Sequence, residues 1–131
     1  MKFAKRVYLI AGIYGLIVML PQYFLEDKNG RDFPPAITHP EYYYGFVGIT
    51  VAWQVAFLVM SRDPIRYRPL MIPTMLEKAS WAFAAIALFL LGKLSVPMLG
   101  AGLLDLTLGI LFVMAYARTA SAEMPRSVPT L

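Results

Sequence analysis

Four apolar runs take up most of a chain of 131 residues and leave only short polar links between them. Each is close to the ~20 residues that a helix needs to cross ~30 Å of hydrocarbon. Unpaired strand edges are not tolerated in lipid, so the runs read as helices and the chain as an all-α, polytopic bundle of four transmembrane helices. Composition agrees, since 59% hydrophobic and 15% charged residues make the chain too apolar for a soluble domain of this size. No polar segment is long enough to fold by itself, so residues 1–131 are expected to form one domain. Its spans fall at about 6–25, 42–61, 70–92 and 97–117, followed by a tail at 118–131.

The links refine this plan. A basic leader, MKFAKR, precedes the first run, which ends in Pro21, Gln22, Tyr23 and Phe24 and not in the small residues of a cleavage site, so this run reads as a retained span. Ala11 and Gly15 lie four apart on one face and allow a neighbouring helix to come close, while Pro21 kinks or ends the last turn. The polar stretch Glu26 to Pro40 is expected to be a loop, with Asn29-Gly30 as a turn signal and Pro34-Pro35 as a stiffener. Tyr42, Tyr43 and Tyr44 then open the second span as an aromatic belt. Pro64 and Pro69 break the chain between the second and third spans, and the short link LSVP makes the third and fourth an antiparallel hairpin. The polar, Pro-interrupted tail is expected to be poorly ordered at its end.

Charge placement speaks to topology. The net charge of +4 comes from short basic flanks and not from a basic, aromatic-rich face, which argues against nucleic acid as a partner. Lys2, Lys5, Arg6, Arg62, Arg66, Arg68, Arg118 and Arg126 fall on one side of the four spans, and Lys28, Arg31 and Lys93 on the other. The positive-inside rule therefore puts both termini in the cytoplasm, in a bacterial inner membrane or its equivalent. The chain has no cysteine, which excludes disulfides and thiolate catalysis. Its single histidine, His39, has only Glu41 nearby in sequence, so no metal site and no cofactor is expected. Gly100-Ala101-Gly102 lies inside an apolar span and reads as helix packing, not as a nucleotide fingerprint.

The third span carries Glu77 and Lys78, and the fourth carries Asp105. An acid at that depth has to face protein, cavity water or a ligand, and intramembrane acids mark functional sites by default. Counted from the basic flanks at ~1.5 Å per residue, Tyr14, Gln54 and Glu77 share one level, and Asp105 lies one to two turns further out, nearer Thr50 and Trp81. Phe46, Thr50 and Gln54 form a polar stripe expected to face inward, with Gln54 hydrogen-bonded to Glu77. Lys78 is expected to snorkel to the headgroups, leaving Glu77 a protonated donor or a proton carrier. Polar groups between helices also serve as plain packing contacts, and for Tyr14 and Gln54 that reading is preferred.

Pro21 near the end of span one, Asp27 six residues on, an aromatic entry to span two, Gln54 within it, and an Arg-rich turn with Pro69 leading into span three occur together in the first two-thirds of the chain. In this order of features the chain resembles the EXPERA group of four-helix membrane proteins, which includes the emopamil-binding sterol isomerases and related sterol-binding proteins. The resemblance implies a pocket lined by Asp27, Thr50 and Gln54 for a flat, apolar, often amine-bearing ligand. It does not extend to the isomerase reaction, because the carboxylate such pockets carry on span two falls here on Thr50 and no histidine lies within a span. The reading is thus a membrane protein with a polar-lined intramembrane pocket for a lipid, sterol-like or other small hydrophobic ligand. Its candidate residues are Tyr14, Asp27, Thr50, Gln54, Glu77, Trp81 and Asp105. A non-catalytic accessory subunit of a membrane complex is the alternative. A membrane enzyme using Glu77 or Asp105 as acid and base, and a homo-oligomer, both stay open.

Overall fold

The computed structural model describes residues 1–123. Helix α1 (Lys2–Met19) tightens into a 3₁₀ turn at Leu20–Phe24 and is followed by a short α2 (Glu26–Asp32) and by α3 (Pro40–Arg62). A second 3₁₀ turn, Arg68–Leu70, leads into α4 (Met71–Leu90), and α5 (Val96–Glu123) closes the chain. The stretches Lys2–Phe24, Pro40–Arg62, Arg68–Leu90 and Val96–Ala122 are long and apolar enough to cross a membrane, so the chain is all-helical with four candidate spans. Prolines stand where helices begin or tighten. Pro40 opens α3, Pro97 is in the first turn of α5, and Pro21 and Pro69 sit in the 3₁₀ turns, where a missing N–H costs least.

Close contacts fix the direction of each helix against its neighbour. Gly12 faces Leu58 and Gly15 faces Gln54, so α1 and α3 are antiparallel. Gly102 abuts Ala85 and Gly109 abuts the Lys78 stem, so α4 and α5 are antiparallel. Tyr8 stacks on Phe112 and Arg118 lies over Phe3, which makes α1 and α5 antiparallel as well. The bundle therefore runs up, down, up, down. Both α1's start and α5's end share one face of the bundle with the Arg62 to Arg68 turn, here termed the basic end. At the opposite, α2 end lie α2 and the turn around Lys93.

Most of the large buried side chains gather toward the basic end. Tyr8, Phe57 and Phe112 are fully buried and meet ring to ring, with centroids 4.4 Å apart for Tyr8 and Phe112, 5.1 Å for Phe57 and Phe112 and 5.9 Å for Tyr8 and Phe57. Ala4, Val7, Ala11, Met60, Met71 and Ala115 fill in around them. The Tyr8 hydroxyl bonds Thr74 Oγ1 at 2.8 Å and ties α1 to α4. Where lipid replaces water, helix association rests on such packing and on interhelical hydrogen bonds worth ~0.6 kcal/mol each.

Four expectations need correcting. The Glu26 to Pro40 segment is not wholly a loop: Glu26 and Asp27 in the first turn and Arg31 in the last complement the dipole of α2, and Lys28 pairs with Asp32 one turn on. Gly30 serves close approach and not a turn, because a Cβ there would meet Ala36 Cα at 3.2 Å where the chain folds back. The last helix does not stop at residue 117. Hydropathy ends there, but helix-permissive residues continue to Glu123, and Thr119 is buried against Arg68. Arg68, expected as a topogenic flank charge, is itself buried, with its guanidinium 3.8 Å from the Tyr116 ring centroid and bonded to the Tyr116 carbonyl and Thr119. The expected disorder at the tail's end concerns residues 124–131, outside the described residues.

Candidate functional site

Toward the α2 end the helices part and enclose a cavity of about 770 Å³. Its floor is set by the α1–α3 and α4–α5 seams. Because Gly15 has no side chain, the Gln54 side chain fills the place a Cβ would take, 1.8 Å from Oε1, and is held 2% exposed in the cavity wall. Because Gly109 is likewise small, the Lys78 stem lies flat on α5, with a Cβ on Gly109 only 3.2 Å from its own. The same register sets Asp105 opposite Ala82, one turn further from the basic end than Lys78, as the depth count anticipates.

The lysine closes that gap. Lys78 Nζ lies 3.4 Å from both oxygens of Asp105 and 3.4 Å from Glu77 Oε2, and 5.4 Å from the centroid of the Phe57 ring. Its side chain is 5% exposed, against 22% for Glu77 and 19% for Asp105. Lys78 therefore does not snorkel to an interface; a turn of α3 and the face of α5 enclose it, and two acids share one ammonium. Nor do Gln54 and Glu77 bond each other. Gln54 Nε2 donates to the Thr50 carbonyl at 3.1 Å, and Glu77 faces Lys78. Gln54 Oε1 is buried without a hydrogen-bond donor, and Glu77 Oε2 has only the Lys78 ammonium beside it, at 3.4 Å.

Tyr14, Thr50, Gln54, Glu77, Trp81 and Asp105 all line this one cavity, and Asp27 does not. Asp27 lies on α2 beside a separate small hollow with Glu26, Gly30 and Arg31. No protein-family model, curated protein or solved structure matches this chain.

Residues missed from the sequence complete the site. The walls are apolar, with Val18, Met19, Phe46, Val47, Met98 and Ala101 between floor and mouth. At the mouth, Tyr43 donates its hydroxyl to the Gln22 carbonyl at 2.6 Å and accepts from Asn29 Nδ2 at 3.0 Å, while Asn29 also donates to Gln22 Oε1 at 2.7 Å. This triangle ties α2 to both α1 and α3. Asp32, Lys93 and Ser95 are exposed at the rim of the opening. Tyr43 had signalled only a belt, and Gln22 and Asn29 a helix end and a turn; nothing in their spacing marks the triangle. His39 meets Glu41 at 3.1 Å and stacks on Tyr42 at the surface, and no cluster of metal-ligating residues exists among the described residues.

Proposed function

We propose that this chain is a multi-pass membrane protein whose cavity binds a lipid, sterol-like or other small hydrophobic molecule, apolar body along the walls and polar group at the Glu77, Lys78 and Asp105 floor. One observation carries the reading: a space of about 770 Å³, within the ~300–1,000 Å³ of ordinary ligand sites, has apolar walls and a few convergent polar groups at its base. The unpaired Gln54 Oε1 favours binding over plain helix contact, because a seam built only for assembly would pair its buried acceptors. The EXPERA-like order of features supports the same class of ligand through Thr50 and Gln54, though not through Asp27. The basic end lies in the cytoplasm on this reading and the cavity opens toward the other side, as the distribution of Lys and Arg favours.

Trp81 in the cavity wall reports on occupancy. Bromine-bearing lipid or sterol analogues are expected to quench it saturably in purified protein, and Trp81→Phe to remove the saturable component. Ala101→Phe fills the wall and is expected to weaken binding by about tenfold or more, at little cost in melting temperature. Absence of saturable quenching in the wild type overturns the proposal.

A further inference from the structure

Charge counting on the cavity floor leads beyond ligand binding. Lys78 is the only cation there among the described residues, and Glu77 and Asp105 both stand 3.4 Å from it. Fully ionised, the three sum to −1 on the floor of a cavity with apolar walls, midway along candidate membrane-spanning helices. An uncompensated charge at such depth is the costliest arrangement open to the group, and one proton shared by the two carboxyls removes it. The other groups facing the cluster do not supply that charge: Tyr14 on α1 is neutral, and Thr50 and Gln54 on α3 are polar but uncharged. Lys93 and Asp32, the latter paired with Lys28, stand at the mouth and not at the floor.

Access is one-sided. The cavity runs from the cluster to the α2 end, roughly 18 Å along α4 by helical rise from Lys78 to Leu90. In the other direction the Phe57 ring lies with its centroid 5.4 Å from the Lys78 ammonium and packs against Tyr8 and Phe112, and all three rings are fully buried. We infer that Glu77, Lys78 and Asp105 together bind one exchangeable proton, reached through the cavity from the α2 end and shut off from the basic end by the Tyr8, Phe57 and Phe112 layer. The proton belongs to the trio and not to either acid. This goes beyond the ligand-binding reading and requires no ligand, so a failure of Trp81 quenching leaves it standing.

Infrared spectroscopy of the protein in lipid nanodiscs counts protonated carboxyls directly. The wild type is expected to show one per chain at neutral pH, lost on alkalinisation. Glu77→Gln and Asp105→Asn are each expected to show none, because Lys78 then balances the one acid left. Lys78→Met is expected to show two. A wild type with no protonated carboxyl above the ordinary carboxylate range, or equal counts in all forms, overturns the inference, and the wild-type count decides even if a variant does not fold. Because the chain has no cysteine, access is tested with single labels. A bulky maleimide on Ser95→Cys is expected to slow the response to a pH jump several-fold, and the same label on Lys5→Cys at the basic end to leave it unchanged. Equal slowing from both ends, or none from Ser95, overturns the one-sided access.

Discussion

Gly15 lacks a side chain at the place Gln54 occupies, and the pair shows how one residue's absence positions another. A Cβ on Gly15 would stand 2.2 Å from Gln54 Cδ and 2.6 Å from Cγ, so the whole amide arm would have to move. Gly15→Ala is expected to destabilise the bundle by ~1–3 kcal/mol, the usual cost of overpacking, and to lower its melting temperature in detergent. Gly100→Ala, with open space around it, is expected to be neutral or to stabilise by up to ~1 kcal/mol through helix propensity. The Tyr8 hydroxyl is a gentler case. Tyr8→Phe keeps the ring layer, and Thr74 still donates to the Met71 carbonyl, so a loss of only ~1 kcal/mol is expected in the same melt.

At the scale of elements, α2 is held by side chains more than by burial, since none of its residues is buried. Asn29→Ala removes two of the triangle's bonds. It is expected to speed hydrogen exchange across Glu26–Asp32 while leaving α1 and α5 protected; unchanged exchange in α2 would show that the triangle does not hold it. The helices themselves were legible in the sequence, because span length and apolar content are set by lipid thickness. The helical face of Thr50 and Gln54 was legible too, since periodicity alone places it. Lys78 was not, because adjacent helix residues point about 100° apart and only the smallness of Gly109, thirty-one positions away, lets its stem lie against α5 beside Asp105. The same limit applies to Arg68: a flank charge and a buried guanidinium look alike until Tyr116 and Thr119 are placed beside it.

For the whole molecule, alternating helix directions put the start of α1 and the end of α5 at the basic end, whichever way the bundle sits. Reporter fusions after Arg118 and within Lys28 to Asp32 are expected to give opposite signals, with the first on the cytoplasmic side. A cytoplasmic signal from the α2 fusion would contradict the orientation. The two antiparallel pairs, α1 with α3 and α4 with α5, also differ from the contacts between them: the pairs are seamed along their length, while α3 and α4 share no extended seam. What joins one pair to the other lies mainly between α1 and α5 and toward the basic end: the ring layer, Arg118 over Phe3 and the bond from Tyr8 to Thr74. Two stiff arms clamped at one end are a pair of tweezers, with the fulcrum at Thr74 and the tips roughly 25 Å away by helical rise along α4. A slight tilt at the fulcrum would become a wide change of aperture at the tips without breaking a single hydrogen bond within a helix, so in such a frame the size of the mouth is set by one clamp far from it.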